Sequence, residues 1–236
     1  MANAIIEPEF NEMVPENVAV LAARMNIKGA RPSDSFVDQL RKTVLDAEDA
    51  AKQLAYSKPD VITFGCTSAS YVMNVEKQDW DEKIAQTISR FVRIPVITTA
   101  TAVIRALRCL GIRSIALGTP YPNEVNEFAK RFFESKGFKV IRVGSVPEKN
   151  SCNSTSAYNL GKSLDGDDID GMLLSCTGFK TVDIIDKLEK DLGKPIVSSN
   201  QAALWASLRI AKIRERISGY GRLLEEIRDL SFSEPP

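Results

Sequence analysis

The sequence predicts an α/β fold of two similar halves, each a parallel β-sheet covered by helices on both faces. Two observations lead to this prediction. Short β-branched segments alternate with amphipathic stretches along the chain, and one strand–helix block occurs twice. The length of 236 residues accommodates two domains of roughly 100 residues each.

The predicted elements follow each other in a regular order. The strands are the apolar segments Val18–Ala22, Val61–Phe64, Val96–Thr98, Ser114–Leu117, Val140–Val143, Gly171–Leu174 and Ile196–Val197. The helices are the amphipathic stretches Asp34–Ala55, Glu82–Phe91, Ala102–Leu110, Pro122–Lys136, Thr181–Leu192 and Gln201–Ala211. The polar segment Pro147–Ser156 is predicted to be a loop. Such alternation is typical of parallel sheets with connecting helices.

Two blocks of sequence recur in the same order, which indicates an internal duplication. PDVITFGCTSAS around Cys66 matches IDGMLLSCTGFK around Cys176, at an offset of 110 residues. Downstream, RIPVITTATAVIRALR ends at Arg108 and GKPIVSSNQAALWASLR ends at Arg209, at an offset of 101 residues. The shared order favours a duplicated α/β unit, and chance similarity between two strand–helix units is the alternative.

Composition excludes several functional classes. The chain has no histidine, so Ser-His-Asp and Cys-His catalysis and the commonest metal ligand are all absent. Basic and acidic residues number 31 each, so no net charge attracts the chain to nucleic acid or to an anionic membrane. Apolar runs are far shorter than the ~20 residues of a membrane span, and no secretory signal pattern is present. Four cysteines in unlike contexts do not form a disulfide framework.

From these exclusions we expect a cytoplasmic protein that has no nucleic-acid or membrane partner. Neither GxxxxGK[ST] nor GxGxxG after a strand occurs in the sequence, so no nucleotide cofactor is expected. A metal site is equally unsupported, because histidine is absent and the cysteines are scattered.

Cys66 and Cys176 are the candidate catalytic residues. In open parallel sheets, ligands bind beyond the carboxyl ends of the strands, where both cysteines lie. A helix that begins directly after each cysteine would present free N–H groups and lower the pKa of the thiol. The same N–H groups, with the hydroxyls of Thr67, Ser68 and Thr177, would bind a substrate carboxylate. Two such units facing each other place a thiol on each side of a small acid, which suits proton transfer or nucleophilic attack.

Simpler structural interpretations stand beside these. A free cysteine is usually a small buried apolar residue, and we keep that interpretation for Cys109, in a helix pattern, and Cys152, in a polar loop. Hydroxyl residues at helix starts are also ordinary N-caps. The shared Cys-Thr-small context at equivalent strand ends favours the functional interpretation for Cys66 and Cys176.

Further segments add to these motifs: ALGTPYPNEVNE at residues 116–127, PIVSSNQA from Pro195, and SGYGRLL near the C-terminus. Together with FGCTSAS and LLSCTG around the cysteines, they make the chain resemble the aspartate/glutamate racemase superfamily, in its maleate cis–trans isomerase and arylmalonate decarboxylase branch. The resemblance implies two Rossmann-like α/β/α domains related by a pseudo-two-fold axis, with the active site between them. It implies a first domain of residues 1–100 with 206–236, a second domain of residues 101–205, and a homodimer.

The resemblance also implies roles for individual residues. Cys66 and Cys176 would take the two catalytic positions. Tyr121 matches the tyrosine that hydrogen-bonds a substrate carboxylate, and a surface tyrosine in a turn is its alternative interpretation. Asparagines of two loops and several small residues would complete the site for a small carboxylic acid. They are Asn3, Asn150 (with Asn153 as its alternative), Thr67, Ser68, Thr177 and Gly178.

The function that the resemblance implies is cofactor-independent cis–trans isomerisation of maleate to fumarate. One thiolate would add to the alkene to give a succinyl-type adduct that rotates, and the other cysteine would assist proton transfer. Arylmalonate decarboxylases keep only the second thiol, so the presence of both disfavours decarboxylation. An amino-acid or hydantoin racemase is a further alternative, and so is a degenerate paralogue that binds a small acid without turnover.

The sequence departs from the family at its start. Family members begin with an apolar strand that leads into the asparagine loop, whereas here Met1 already falls inside that loop. That strand would be a central member of the first sheet. Without it, the sheet loses a ladder of hydrogen bonds and exposes apolar surface. We therefore expect either a truncated start or a first half that is built differently.

Overall fold

The computed structural model describes residues 3–26, 31, 33–146 and 152–226. Six strands occur in this part of the chain: β1 (Ile62–Phe64), β2 (Val96–Thr98), β3 (Ser114–Thr119), β4 (Lys139–Ser145), β5 (Gly171–Leu174) and β6 (Ile196–Ser198). Its helices are α1 (Ile6–Met13), α2 (Phe36–Thr43), α3 (Ala47–Ala55), α4 (Thr67–Glu76), α5 (Trp80–Val92), α6 (Thr99–Cys109), α7 (Asn123–Ser135), α8 (Ser154–Leu164), α9 (Val182–Leu192), α10 (Ser199–Ile210) and α11 (Arg222–Glu225).

The strands form two parallel sheets. β1 and β2 make the first sheet, with Ile62 opposite Val96 and Phe64 opposite Thr98. The second sheet has the order β4-β3-β5-β6, and every pair in it is parallel. Parallel neighbours need a crossover connection, which the helices supply. The predicted α/β class with parallel sheets is confirmed.

The downstream repeat has the same geometry in both halves. β2 leads directly into α6, and β6 leads directly into α10. Thr98 caps α6 by accepting the N–H of Thr101, and Ser198 caps α10 by accepting the N–H of Gln201. α6 and α10 pack against each other. The closing arginines lie 101 residues apart although the strands lie 100 apart, because α10 has 12 residues and α6 has 11.

The prediction of a strand at residues 18–22 is wrong, since this segment joins no ladder. In the repeat, β1 and β2 correspond to β5 and β6. In the order of elements, residues 18–22 precede α2, α3 and β1 as β4 precedes α8 and β5. In the second sheet, β4 and β5 both pair with β3. No counterpart of β3 occurs among the residues that the structure describes. Residues 18–22 therefore have no neighbouring strand to pair with, although Val18 and Val20 pack against the core.

Three further predictions, about helices and a loop, are also corrected. The single helix predicted at residues 34–55 is two helices, α2 and α3, joined by a 3₁₀ turn at Val44–Asp46. α1 falls in a segment for which no helix was predicted. The loop predicted at residues 147–156 ends early, because α8 begins at Ser154, and residues 147–151 lie outside the described residues.

A large apolar core extends across both sheets. It buries Phe64 and Ile97 of the first sheet together with Leu117, Leu173 and Val197 of the second. A smaller cluster covers the opposite face of the second sheet, where Met172, Leu174 and Ile196 are buried. Strands that are covered on both faces consist of continuous apolar residues, and this pattern allowed the strands to be predicted from the sequence. In the described part of the chain, no helix has the length and apolar character to cross a membrane.

The start of α11 and the segment before it contact α1, α9 and α10. The Tyr220 hydroxyl donates to the carbonyl of Glu12 in α1 at 2.9 Å, and the Tyr220 carbonyl accepts the side-chain amide of Gln201 in α10 at 2.6 Å. The N–H of Arg222 donates to the buried carboxylate of Glu189 in α9 at 2.8 Å. This segment therefore connects elements that are distant in sequence.

Candidate active site

Each candidate cysteine lies two residues beyond the end of a short buried strand. Cys66 follows β1 and is the N-cap residue of α4, as predicted. Cys176 follows β5, but the helix expected directly after it begins only at Val182. A turn occupies residues 177–179 instead, and the N–H of Phe179 donates to the carbonyl of Cys176 at 3.1 Å.

Hydrogen bonds join the two cysteine segments to each other. The Thr177 hydroxyl donates to the carbonyl of Gly65, the residue before Cys66, at 3.2 Å. The Thr67 hydroxyl donates to the Ser199 hydroxyl at 3.2 Å, and that hydroxyl oxygen accepts the N–H of Cys176 at 3.1 Å. The strand ends of the two repeats therefore meet at one place.

Cys66 is a free, half-buried thiol at a helix N-terminus. Burial raises the pKa of its thiol above the ordinary value, because removing water disfavours the charged form. The N–H of Ala69 and the hydroxyl of Ser68, which lies 3.9 Å from the sulfur, act in the opposite direction. The N-terminus of α4 thus favours the thiolate, but the effect of burial is larger.

Cys176 is also free and half-buried, and burial raises the pKa of its thiol to about 12. Two groups partly offset this rise: the Tyr121 hydroxyl, and the N–H of Gly178 at 3.3 Å from the sulfur. The charge of an ionised Cys66 raises the pKa further, so the two sulfurs lie within range of each other's charge. The local N–H groups act in the expected direction, but burial outweighs them, so the expectation that both pKa values are lowered is wrong.

Tyr121 lies in the turn between β3 and α7 and is buried, which excludes a surface tyrosine. Its N–H donates to the Thr119 hydroxyl at 3.0 Å, which holds the turn. Burial raises the pKa of its hydroxyl well above the ordinary value, and the charges of Cys176 and Cys66 contribute to the rise. The hydroxyl makes no hydrogen bond of normal geometry to any described residue. This buried donor lies beside the Cys176 sulfur, and a bound ligand would give it a partner of normal geometry.

Asn3 contacts the Cys176 segment directly, since its side-chain amide donates to the Thr177 hydroxyl at 2.8 Å. The Oδ1 atom of the Asn3 side chain accepts the N–H groups of Ile5 and Ile6 at the start of α1. Asn150 lies outside the described residues. Asn153, its alternative, caps α8 by accepting the N–H of Ser156 at 2.8 Å.

The predicted carboxylate-binding residues surround the cysteines, but two of their hydroxyls are already engaged. Thr67 and Thr177 are buried, and their hydroxyl hydrogens go to Ser199 and Gly65. Ser68 remains beside the sulfur of Cys66. The two threonine hydroxyls are therefore already used as donors within the protein.

Two further residues at this place, Ser199 and Tyr71, were not found from the sequence. Ser199 bonds to both cysteine segments, and Tyr71 in α4 shares a 2.8 Å hydrogen bond with the hydroxyl of Ser175, the residue before Cys176. Ser199 could have been found, because it aligns with Thr99 in the repeat, and the Thr99 hydroxyl donates to the carbonyl of Phe64 in β1. Tyr71 gave no comparable signal. No group of three or more side chains suited to a metal ion forms within residues 3–26, 31, 33–146 and 152–226.

The fold and the two free thiols define a class, a two-domain α/β enzyme with a cysteine after the equivalent strand of each repeat. The family model of arylmalonate decarboxylase matches residues 2–224, and the chain belongs to this family.

Its relatives include a decarboxylase and several isomerases. The arylmalonate decarboxylase of Bordetella bronchiseptica is 31% identical over 189 residues, which cover 75% of this chain and 76% of that protein. A maleate isomerase of Pseudomonas putida is 26% identical over 233 residues, which cover 94% and 93%. Among solved structures, a variant of the Nocardia farcinica maleate cis–trans isomerase with a covalently bound succinylcysteine intermediate superposes with a TM-score of 0.83 at 19% identity, covering 94% of each chain.

Proposed function

We propose that this enzyme isomerises a small cis-unsaturated dicarboxylate, with maleate as substrate and fumarate as product, and that Cys66 and Cys176 carry out the reaction. The observation that carries the proposal is that two free thiols lie after equivalent strands whose ends hydrogen-bond to each other, with the buried Tyr121 hydroxyl beside Cys176. Similarity to maleate isomerases over 94% of the chain supports the same reaction.

Cys66 is the nucleophile in this proposal. Its position at the start of α4 gives the thiolate the N–H of Ala69 and the hydroxyl of Ser68 as donors. The sulfur forms a bond to one alkene carbon while the π bond breaks. The electron pair moves to the second alkene carbon, which takes a proton from the thiol of Cys176. The product is a succinyl thioether of Cys66.

Cys176 is the proton carrier because a thiol with a pKa of about 12 holds its proton until a strongly basic carbon accepts it. The former double bond is now single and rotates. The Cys176 thiolate then removes a proton from the same carbon, the double bond re-forms, and Cys66 leaves as a thiolate. Atoms and electrons balance without an oxidant or a cofactor. The covalent succinylcysteine in the Nocardia farcinica relative supports such an intermediate.

Substrate carboxylates are proposed to bind Tyr121 and the asparagine and small residues around the thiols. The Tyr121 hydroxyl keeps its proton because burial raises its pKa, so it is suited to donate to a carboxylate oxygen. Asn3, Thr67, Ser68, Thr177 and Gly178 border the same place, and Asn150 remains a prediction.

Maleate turnover tests the proposal. We expect the unmodified protein to convert maleate to fumarate, and Cys66→Ala and Cys176→Ala each to lower the rate by about 1,000-fold or more. Loss of maleate absorbance, with fumarate identified by NMR, measures the reaction. Cys109→Ala, which changes the half-buried thiol within α6, is the matched control and should keep its rate within twofold. Full activity in either of the first two variants would contradict the two-thiol mechanism.

Decarboxylation of an arylmalonate is the second candidate function, favoured by the matching family model and the 31% identical relative. Cys66 discriminates between the two, because decarboxylases of the family are expected to carry only the second thiol. If decarboxylation is the true activity, an arylmalonate loses CO₂ in the Cys66→Ala variant, whereas maleate is never converted. Exchange of an α-hydrogen for deuterium without an alkene product would instead indicate the racemase alternative.

Three further expectations from the sequence remain predictions for this protein. They are a cytoplasmic location, a homodimer, and domains of residues 1–100 with 206–236 and of residues 101–205.

A further inference from the structure

A buried carboxylate connects α1 to the elements that follow Cys176. Glu9 is 2% exposed. Its Oε1 accepts the N–H groups of Thr181 and Val182, at 2.6 and 3.1 Å, where α9 begins. Its Oε2 accepts the side-chain amide of Asn200 at 2.6 Å. Burial raises the pKa of the Glu9 carboxyl, and these three donors act against that rise.

Asn200 extends this contact to the residue after Cys176. The same side-chain nitrogen that donates to Glu9 also donates to the carbonyl oxygen of Thr177, at 3.1 Å. An amide nitrogen has two hydrogens, so both are used. Asn200 is 1% exposed, and its carbonyl oxygen has no partner among the described residues. The Asn200 side chain therefore acts in the fold through its two N–H donors.

The Thr177 carbonyl and the Gly178 N–H belong to the same peptide group, which is planar. Fixing the carbonyl oxygen therefore fixes the direction of the N–H. That N–H donates to the sulfur of Cys176 at 3.3 Å. A rotation of this peptide would move the N–H away from the sulfur, and the thiolate would lose a donor.

We propose that Glu9 and Asn200 are positioning residues that hold the Thr177–Gly178 peptide plane, so that its N–H points at the sulfur of Cys176. Their importance for turnover rests on the proposed function. The chain of hydrogen bonds exists without a substrate, however, so its effect on the thiol is measurable separately.

Glu9→Gln separates the two hydrogen-bonding roles of the carboxylate, which accepts from the backbone of α9 and from the side chain of Asn200. Glutamine has the same shape, and its carbonyl oxygen still accepts the N–H groups of Thr181 and Val182. Its –NH₂ group, however, faces the –NH₂ group of Asn200, and two donors cannot bond. Asn200 must turn its oxygen to residue 9, which withdraws a hydrogen from Thr177. Asn200→Ala removes the same donor and leaves the bonds from Glu9 to α9 in place.

The experiment is the rate of alkylation by iodoacetamide at Cys66 and Cys176, measured by mass spectrometry across a pH series. The tryptic peptides 53–77 and 163–180 report the two thiols separately. For Glu9→Gln and for Asn200→Ala we expect alkylation of Cys176 to slow by about tenfold at fixed pH, which corresponds to a rise of about one unit in its pKa. Alkylation of Cys66 should stay within twofold. The double variant should match the single ones, because both break the same chain of bonds.

Glu12→Gln is the matched control, since Glu12 lies in the same helix with an exposed side chain. The titratable groups that face Cys176, namely Tyr121, Tyr71, Cys66 and Cys152, are unchanged in every variant. If Glu9 and Asn200 only stabilised the fold, replacing them would loosen it and speed alkylation at both thiols. That result would overturn the proposal. So would an unchanged rate at Cys176. Slower alkylation of Cys176 in a protein that does not convert maleate would support the positioning role and refute the isomerase.

Discussion

The two sulfur atoms occupy equivalent positions in the repeat, yet their surroundings differ. Cys66 caps a helix, whereas Cys176 precedes a turn and interacts with Tyr121. The two thiols were predicted from a local motif that occurs twice, and Tyr121 was predicted from the family resemblance. The sequence did not predict the direction of the pKa shifts. Burial of a sulfur depends on residues brought together from distant segments, and here burial outweighs the local N–H donors.

The raised pKa of Cys176 predicts how its reactivity depends on pH. The thiol keeps its proton below a pKa of about 12, and only the thiolate reacts with iodoacetamide. The rate of alkylation at Cys176 should therefore rise by about tenfold per pH unit from pH 7 to 9, without a plateau. The exposed Cys152 of the same protein is the internal comparison. A plateau at Cys176 near neutral pH would mean that the thiol is already ionised and that the donors outweigh burial.

At the scale of elements, six of the seven predicted strands occur within two residues of their predicted bounds. They are recognisable because β-branched residues run between turn residues. The seventh, at residues 18–22, is not a strand because a strand needs a neighbour. The break between α2 and α3 was also missed. There the buried carboxylate of Asp46 accepts the N–H of Asn26 at 2.7 Å, a contact between distant segments that hydrophobic periodicity does not reveal.

The turn into α11 provides a prediction about stability. Gly221 has a φ of 81°, and a Cβ atom there would lie 2.5 Å from Cγ2 of Ile185 in α9. Gly221→Ala combines backbone strain with this clash and should lower the free energy of unfolding by about 3 kcal/mol. Urea denaturation measures the change.

Gly219→Ala is the matched control for that measurement. Gly219 also has a positive φ, of 92°, but a Cβ atom would meet nothing within 4 Å. Strain alone should cost about 1 kcal/mol. Equal losses in the two variants would show that Ile185 moves aside without cost and that the close packing of this turn on α9 is unimportant.

At the scale of the whole molecule, the repeat explains why the site lies where the two halves meet. Each half delivers a cysteine at the carboxyl end of a buried strand, and the hydroxyls of Thr177 and Thr67 bond across to the other half. The repeat was visible in the sequence. The bonds between the halves were not, because they join residues more than 100 positions apart.

Cross-linking of the two thiols tests the central claim most directly, namely that Cys66 and Cys176 face one pocket for a small diacid. Dibromobimane, a short reagent that alkylates two thiols, should join the tryptic peptides 53–77 and 163–180 at pH 9, and maleate should protect against the reaction. Separate single adducts on the two peptides, formed at the same rate with and without maleate, would contradict the account.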